Sequence, residues 1–599
     1  MPRPVRLGLA ALSAVLGAVL LAWPFITDFY SYNASYYNGV VAAAAISGIL
    51  TISLNLAMGY GGMMSMLHTG LQLVGGYAAA SLTVKAGLPW PVGIALAVPV
   101  GAGLAAAVLL VSLRATSLYF GMITLAANLI VIEAGRAWED VTGGVNGVVG
   151  VAPGSLSKVA FYYVVLVFLG LAYLVQRNLM RSGVGRASLA VMESPDTASA
   201  MGVRPATTRL LVFTVAGGIA GVSGALYALQ LGFINPDVGL LDNGLTFFVG
   251  LFVGGIGTLV GPVLGVGVVA LLVELIKDYG RYTTLILGVA LLMTMIVLPR
   301  GIVGTFRASR FGRVDDGEVS GEAEPEASLP DGILPEPPET DHPALEGRGL
   351  VKHFGGVKAV DGVDVAVRAG TVHGIIGPNG SGKSTTVSCL TRFHALDAGE
   401  VLVFGEPSPA KAWQVPALGV TRVFQVPHLF EQQTVLDNVL TGMRRREGYG
   451  WLAAVLRLPS YRRRERAGRE AAARLLAFAG LSGRAHRLAG SLSHGQKRLL
   501  EVVRAVASGP RVLILDEPAT GLTPAEIDAL GRLCRTFRDR GLAVVLIEHN
   551  VEFVMGLCDE ITVIDGGKVI AAGPPETVRR DPKVLEAYLG RPDLIEEVA

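Results

Sequence analysis

The segment GPNGSGKS, residues 377–384, has the composition of a loop that binds phosphate. Its glycines let backbone N–H groups turn toward phosphate oxygens, and the helix predicted to follow adds the positive end of its dipole. Lys383 would reach the terminal phosphates and the Ser384 hydroxyl would bind Mg²⁺. We expect the nucleotide to contact Gly377, Pro378, Asn379, Gly380, Ser381, Gly382, Lys383, Ser384 and Thr385.

Two adjacent carboxylates follow a second apolar strand, in the sequence RVLILDEP. Asp516 at the end of this strand would hold Mg²⁺, directly or through water. Glu517 would then polarise the attacking water as a general base. The pair could instead cap a turn, but its occurrence with a phosphate loop favours nucleotide hydrolysis.

Three further side chains could complete such a site. Gln425 ends the segment VTRVFQ and could sense the attacking water or bind the metal ion, and His549 follows AVVLIEH and could hydrogen-bond the terminal phosphate. Taken singly, each is more often structural. Phe354, in VKHFGG, could stack on adenine or belong to the core, and the sequence leaves both interpretations open.

The segment LSHGQ, residues 492–496, is a second device for contacting phosphate. Ser493 offers a hydroxyl group and Gly495 an accessible backbone. Because the chain already holds a complete phosphate loop, its own nucleotide does not explain this second phosphate contact.

Composition divides the chain in two. Of its 599 residues 51% are hydrophobic and 16% charged, and the charges are sparse from Leu7 to about Leu298. Such a hydrophobic chain is expected to contain a membrane portion. The net charge of +2 argues against nucleic-acid binding. The three cysteines are isolated in sequence, which argues against a disulfide framework or zinc site and fits a reducing compartment.

The apolar runs predict membrane-spanning helices of about 20 residues each. The N-terminal run is longer than a signal-peptide core, so we expect it to be the first span. The long run from Gly244 should split near Gly261–Pro262. The candidate spans are Leu7–Ile26, Val40–Met58, Met63–Val84, Pro91–Leu113, Leu118–Glu133, Ala160–Val175, Leu210–Leu231, Gly244–Leu275 as two crossings, and Thr283–Leu298.

The distribution of arginines predicts the orientation, because cytoplasmic loops are enriched in Lys and Arg. Arg3 and Arg6 place the N-terminus in the cytoplasm, and Arg114 and the basic loop at 177–209 fall after even numbers of spans. The basic edge that begins at Arg300 also belongs in the cytoplasm. Ten crossings satisfy these markers and nine do not.

Several polar residues fall within the predicted spans, where their burial is costly. For His68 and Gln72, we favour interhelical hydrogen bonding over contact with a substrate. For Glu133 and Glu274, we favour positions at the ends of spans, in contact with water. These residues are Asn55, His68, Gln72, Asn128, Glu133 and Glu274.

Two connecting segments have distinct compositions. The loop at 177–209 contains a short predicted helix, with Pro195 near its start and Gly202 after its end. Such a helix could receive force from a soluble motor, or be an idle surface helix. Residues 309–343 are acidic and rich in proline, so we expect a disordered linker between residues 1–308 and residues 344–599.

The half from about Ala344 onward resembles the ATPase of ABC transporters. Gly377–Thr385 match the Walker A loop, Gln425 the Q-loop, Ser493, His494, Gly495 and Gln496 the signature motif, Asp516 and Glu517 Walker B, and His549 the switch histidine. The resemblance implies that ATP and Mg²⁺ bind. It also implies that Ser493, Gly495 and Gln496 close over nucleotide held by a second ATPase domain, which would explain the second phosphate contact.

The resemblance narrows to branched-chain amino-acid importers. It rests on SHGQKRLLEVVRAVASGP in the ATPase, and on TGGVNG and VGGIGTLVGPVLG in the membrane half. It implies a polytopic α-helical permease domain followed by an α/β P-loop ATPase, which would import branched-chain amino acids across the bacterial inner membrane. The termini and the ATPase would be cytoplasmic. The implied partners are membrane lipid, an external solute-binding protein, and a second permease and ATPase or a second copy of this chain.

The sequence departs from the family pattern at three places. His494 stands where the signature motif usually has glycine, Met66-Leu67 precede His68 where a small residue is usual, and Asn128-Leu129 occupy a place where an acidic residue is expected. Since Ser493 and Gly495 remain, we expect activity to survive the change at 494. The two departures in the membrane half leave urea, short amides and aromatic acids as alternative substrates. An exporter, or a soluble regulatory ATPase with a membrane anchor, fits the membrane half less well.

Overall fold

The apolar N-terminal half forms helices, and the C-terminal half alternates strands with helices, in the computed structural model of the chain. The structure describes residues 17–29, 33–113, 115, 117–154, 156–277, 282–308, 329–336, 338, 340–426 and 428–589. Arg3, Arg6, Arg114 and residues 309–328 of the expected linker lie outside these ranges. The chain divides into two units, Met1–Arg181 with Ala206–Glu318 and Ser182–Pro205 with Val319–Ala599.

The first unit consists mainly of helices. A two-residue antiparallel pairing joins strand β1 (Val148–Val149) to strand β2 (Phe233–Ile234). The helices are α1 (Gly17–Phe29), α2 (Ala34–Asn55), α3 (His68–Ala80), α4 (Trp90–Ser112), α5 (Ser117–Ala137), α6 (Glu139–Thr142), α7 (Lys158–Met180), α10 (Pro205–Leu231), α11 (Leu241–Gly254), α12 (Gly261–Leu275), α13 (Thr283–Val297) and α14 (Gly301–Ala308).

Among the described residues, six helical stretches are long and apolar enough to cross a membrane, and α1 and α12 are shorter apolar helices. The predicted break in the long run is confirmed, because α11 ends at Gly254 and α12 begins at Gly261. Gly255 has φ +112°, a conformation that residues with a Cβ atom rarely adopt. The glycines of this stretch therefore separate two short helices.

Small residues let α3 and α10 approach backbone to backbone. A Cβ atom on Gly224 would lie 1.8 Å from the carbonyl oxygen of Gln72, and one on Gly75 would lie 2.3 Å from that of Gly221. Glycine permits this approach, as in other helix pairs within lipid. The Gln72 side chain also donates to Ser223 Oγ at 3.3 Å, the interhelical hydrogen bond favoured from the sequence.

The other polar residues of the spans differ in their contacts. Asn55 donates to the Thr258 carbonyl at 2.9 Å, and Asn128 donates to the Gly239 carbonyl at 3.0 Å. His68 is buried, with its ring edge-on to Phe213, and neither ring nitrogen has a hydrogen-bond partner among the described residues, so the interhelical hydrogen bond expected for His68 is not found. Glu133 pairs with Arg136 at an exposed position, and the partly exposed Glu274 pairs with Lys277 and accepts from the Tyr36 hydroxyl group.

The second unit contains two sheets with helices around them, and the segment at 182–205 belongs to it. Its helices are α8 (Gly183–Glu193), α9 (Pro195–Ala200), α15 (Lys383–Leu390), α16 (Val435–Gly442), α17 (Arg444–Glu447), α18 (Trp451–Val455), α19 (Pro459–Phe478), α20 (His494–Ala507), α21 (Pro524–Asp539), α22 (Val551–Leu557), α23 (Pro575–Arg579) and α24 (Pro582–Leu589). Its strands are β3 (Leu345–Phe354), β4 (Val357–Val367), β5 (Val372–Ile376), β6 (Ala398–Val403), β7 (Glu406–Pro407), β8 (Val420–Val423), β9 (Val512–Asp516), β10 (Ala543–Ile547), β11 (Glu560–Asp565) and β12 (Lys568–Gly573).

The larger sheet has the strand order β12-β11-β5-β10-β9-β8, in which every neighbouring pair except β11/β12 is parallel. Strands β5, β9 and β10 are buried along their whole length, as expected for a parallel sheet covered on both faces. The smaller sheet, β4-β3-β6-β7, is antiparallel. The larger sheet therefore brings the carboxyl ends of β5, β8, β9 and β10 to one edge.

The predicted short helix in the loop at 177–209 is confirmed as α9. Pro195 occupies its first turn, and the Ser194 side chain accepts a hydrogen bond from the Thr197 N–H. Gly202, with φ +77°, follows its end. In the segment expected to be a linker, Leu329 and Ile333 are 2% and 3% exposed and belong to the core of the second unit, because the sequence SLPDGILP places two apolar side chains between turns.

Candidate active site

The phosphate loop lies where the sequence predicts it, between β5 and α15. A Cβ atom on Gly377 would lie 2.0 Å from the Ile564 carbonyl oxygen, and one on Gly382 would lie 2.2 Å from that of Ala359. Both glycines have positive φ, 154° and 102°. Only glycine fits at these two positions. Its freedom of backbone conformation allows the loop to turn its N–H groups toward a ligand.

Lys383 lies beneath the loop and is 4% exposed. Its ammonium group donates to the carbonyl oxygens of Gly377 and Pro378 at 2.7 and 2.8 Å. Burial lowers the pKa of Lys383, and the negative charges of Glu517 and Asp516 act in the opposite direction. The loop thus carries a buried ammonium group held close to its own backbone, as a site for phosphate requires.

Glu517 is the centre of the predicted catalytic group. Its Oε2 accepts a hydrogen bond from the Gln425 side chain at 2.6 Å, and its Oε1 lies 2.7 Å from His549 Nε2. Its φ of +45° is uncommon for a residue with a side chain, and such strain is concentrated at functional sites. Three residues separated by up to 124 positions in sequence therefore meet at the carboxyl edge of the sheet.

Asp516 is 2% exposed and forms a salt bridge with Arg422 through Oδ2, at 2.6 Å. Its other oxygen, Oδ1, is buried and has no hydrogen-bond partner among the described residues. Arg422 also donates to Ser388 Oγ at 3.0 Å. The ion pair fixes the carboxylate and leaves one oxygen free to bind a cation.

The signature segment forms the start of α20. The Ser493 side chain accepts from the Gln496 N–H, while Gln496 Oε1 accepts from the Ser493 N–H, which is a capping box. A Cβ atom on Gly495 would lie 1.8 Å from Glu526 Oε1, so the Glu526 side chain packs closely against this glycine. Among the described residues, no hydrogen bond or ion pair joins Ser493, Gly495 or Gln496 to the phosphate loop.

The remaining predicted residues lie at the margins of the site. Phe354 is 46% exposed, with its ring edge-on to His394 at 5.2 Å between centroids and Lys352 Nζ 5.4 Å from its centroid. It is thus not a buried core aromatic. Ser384 and Thr385 lie in the first turn of α15, directly after the loop.

Three residues of the site were missed in the sequence. Besides Arg422, they are Glu548, which accepts from the Ala519 N–H at 2.6 Å, and Arg498, which donates to the Glu517 carbonyl at 2.7 Å. Burial raises the pKa of Glu548. Glu548 could have been identified in the sequence, because it directly precedes His549. The two arginines could not, because a sequence alone does not distinguish a buried arginine from one on the surface.

Comparison with known families assigns both halves of the chain. Residues 36–298 match the branched-chain amino acid transport system / permease component, and residues 360–520 match the ABC transporter family. Residues 568–593 match the branched-chain amino acid ATP-binding cassette transporter. The chain belongs to the branched-chain amino-acid ABC transporter family. This ABC transporter chain therefore combines a permease component with an ATP-binding component.

Individual relatives agree with that assignment. The chain is 41% identical over 250 residues to BraF of Pseudomonas aeruginosa, a high-affinity branched-chain amino acid transport ATP-binding protein, covering 41% of this chain and 98% of BraF. It is 37% identical over 252 residues to LivG of Escherichia coli, with the same description and coverage. A solved nucleotide-free ATP-binding cassette from an ABC transporter gives 32% identity and a TM-score of 0.37, over 41% of this chain and 99% of that chain. The family match of residues 360–520 and the identity to BraF and LivG show that the C-terminal half of this transporter is an ABC ATPase.

Proposed function

We propose that this chain imports branched-chain amino acids across the bacterial inner membrane at the expense of ATP. The main support for the proposal is that Gln425 and His549 both contact the Glu517 carboxylate, beside the phosphate loop. The same chain also holds a permease component. The named relatives support the choice of solute, because BraF and LivG are branched-chain amino acid transport proteins.

The proposed roles follow from the geometry of the ATPase half. Residues 377–385 cradle the phosphates, and Phe354 offers an exposed ring for adenine. Glu517 accepts a proton from the attacking water, with its carboxylate oriented by Gln425 and His549. His549 also supplies a hydrogen bond to the terminal phosphate.

Magnesium fits the same site. Asp516 Oδ1 is a buried carboxylate oxygen without a partner among the described residues, and Mg²⁺ prefers such oxygen ligands. Ser384 and Gln425 are the other proposed ligands. When bound, Mg²⁺ would neutralise charge on the phosphate oxygens.

We further propose that the active ATPase contains two such domains. The signature residues Ser493, Gly495 and Gln496 contact α21 and their own helix, with no hydrogen bond to the phosphate loop among the described residues. They are therefore available to contact nucleotide held by another domain. A second copy of this chain, or a separate permease with its ATPase, would supply it, and an external solute-binding protein would deliver the solute.

The membrane arrangement is proposed from charge and helix count. About ten crossings place the arginines of the N-terminus, of the loop at 177–209 and of the edge from Arg300 on one side, together with the ATPase. That side is the cytoplasm. Residues 1–308 form the permease, residues 309–343 the connection and residues 344–599 the ATPase.

Uptake into proteoliposomes tests the proposed solute. The chain is reconstituted with its partner subunits and the solute-binding protein, and ATP is supplied on the ATPase side. We expect uptake of radiolabelled leucine to exceed that of urea, acetamide or benzoate at equal concentration. Uptake of one of the latter without leucine uptake would contradict the proposed solute and leave the ATPase assignment intact.

A further inference from the structure

Helix α20 carries three buried charges at three-residue spacing, Arg498, Glu501 and Arg504. They are 1%, 1% and 2% exposed. Burying such charges costs free energy, and replacing buried ion pairs with apolar residues often leaves stability unchanged or increases it. Stability alone is therefore a poor explanation for this triad, and its contacts indicate another role.

Arg498 connects the start of α20 to the catalytic edge of the sheet. Its guanidinium group donates to the carbonyl oxygens of Gln425, Glu517 and Pro518 at 2.8, 2.7 and 3.1 Å. All three acceptors belong to the backbone, so the contact fixes the chain path itself. Because α20 begins at the signature segment, Arg498 links that segment to the residues around Glu517.

Glu501 and Arg504 hold the loop that follows Gln425. Glu501 accepts from the His428 N–H at 2.8 Å and from Arg498 at 3.0 Å. Arg504 donates to the His428 carbonyl at 2.9 Å and lies 4.7 Å from the centroid of the Phe430 ring. From one helix, the three side chains thus contact Gln425, His428 and Phe430 of a single loop.

The same loop contacts residues 182–205, which lie in sequence between membrane helices α7 and α10. Glu193 accepts from the N–H groups of Glu431 and Gln432 at 2.6 and 3.3 Å. Phe430 is fully buried in a cluster with Ala187, Ala190, Val191, Ala198 and Val203. Buried contacts are therefore continuous from the signature helix to the permease segment.

We propose that Arg498, Glu501 and Arg504 are positioning residues that transmit movement of the signature segment to residues 182–205. The inference rests on the proposed function, in which Ser493 contacts nucleotide bound to a second ATPase domain. Through α20 and Phe430, the permease segment then responds to nucleotide on the opposing domain. Its own nucleotide acts on the same loop through Gln425.

The experiment follows residues 182–205 directly in the assembled, full-length transporter. A fluorophore is attached to the exposed position in Asp196→Cys, since the three native cysteines are buried. With Glu517→Gln to retain nucleotide, Mg-ATP should change its fluorescence. We expect Arg504→Met to reduce this response about fivefold, a size typical of mutations along coupling networks. With Glu517 intact, the same substitution should leave ATP hydrolysis without solute nearly unchanged.

Phe430→Leu removes the other partner of the contact between Arg504 and Phe430. Its fluorescence response tests the proposal even if Arg504→Met does not fold. The two substitutions together should reduce the response no further than one alone, because they interrupt one connection. Lys497→Met is the matched control, since Lys497 lies on the same helix and pairs at 2.7 Å with Glu431, whose side chain is exposed. It should leave the response unchanged.

Two outcomes would overturn the proposal. One is a normal response in both Arg504→Met and Phe430→Leu, and the other is an equal loss in Lys497→Met. A parent protein that shows no response to Mg-ATP would contradict the two-domain closure itself. Leucine uptake by the parent, measured separately, distinguishes that failure from an incorrect solute.

Discussion

At the scale of single residues, the catalytic assignment depends on Glu517. Both of its carboxylate oxygens are already engaged, by Gln425 and by His549, so its orientation is fixed. We expect Glu517→Gln to lower the rate of ATP hydrolysis by about 10²–10⁴-fold, the usual contribution of a general base. Binding of Mg-ATP, measured by equilibrium dialysis, should be retained.

Glu548→Gln is the matched control for that substitution. Glu548 is a buried carboxylate directly after the neighbouring strand, and burial raises its pKa. The amide oxygen can still accept from the Ala519 N–H, and the hydrogen bond at 3.2 Å that the other oxygen accepts from the His549 N–H is lost, so we expect a small loss of activity from this control. A control that loses as much activity as Glu517→Gln, or a Glu517→Gln protein with normal turnover, would contradict the assignment of the base.

Also at this scale, the sequence predicted the linear motifs and missed the residues that support them. The phosphate loop, Asp516 and Glu517 were predictable because glycine spacing and carboxylates after an apolar strand indicate specific chemistry. Arg422 was not, since only the folded sheet shows that it is buried beside Asp516 at 2.6 Å. Arg498 was missed for the same reason: its acceptors are backbone carbonyls far away in sequence.

At the scale of elements, helix α8 is held to α17 and α19 by a buried ion cluster. Arg186 donates to Glu465 Oε1 at 2.7 Å and also contacts Glu447, and all three side chains are less than 10% exposed. Burial raises the pKa of Glu465, but its hydrogen bond and attraction to Arg186 outweigh this and lower it overall. The carboxylate therefore remains ionised at neutral pH.

We expect Arg186→Met to destabilise the second unit by about 3–5 kcal/mol, because two buried carboxylates lose their counter-ion. Unfolding by denaturant in detergent micelles measures this, and the triple variant Arg186→Met, Glu447→Gln, Glu465→Gln should recover most of the loss. Since the folded pKa of Glu465 is lowered, its contribution is present above the unfolded value of about 4.3 and is lost as pH falls through the folded one. Equal stability of Arg186→Met and the parent at pH 7 would contradict this account.

The element boundaries show what an apolar pattern can and cannot predict. The break between α11 and α12 was predictable from glycines and a proline, which interrupt helices for local reasons. Helix α5 runs from Ser117 to Ala137, beyond the predicted end at Glu133, because a helix can continue past the apolar window over residues such as Arg136. The burial of Leu329 and Ile333 depends on a distant core and left no periodic pattern in an acidic, proline-rich segment.

At the level of the whole molecule, the proposed mechanism requires two ATPase domains, each of which supplies one part of every nucleotide site. Each chain holds a phosphate loop with Glu517 as its proposed base and Asp516 as a proposed Mg²⁺ ligand, and a signature segment that contacts other parts of the same domain. ATP hydrolysis should therefore require assembly, whichever subunit supplies the second domain.

Lipid nanodiscs that hold a single full-length copy test this claim most directly. The copy number is verified by mass photometry, and ATP hydrolysis per copy is compared with that of the assembled transporter at saturating Mg-ATP. We expect single copies to bind nucleotide with almost no hydrolysis, and the assembly to hydrolyse it. Hydrolysis by single copies at the full rate of the assembly would contradict this claim.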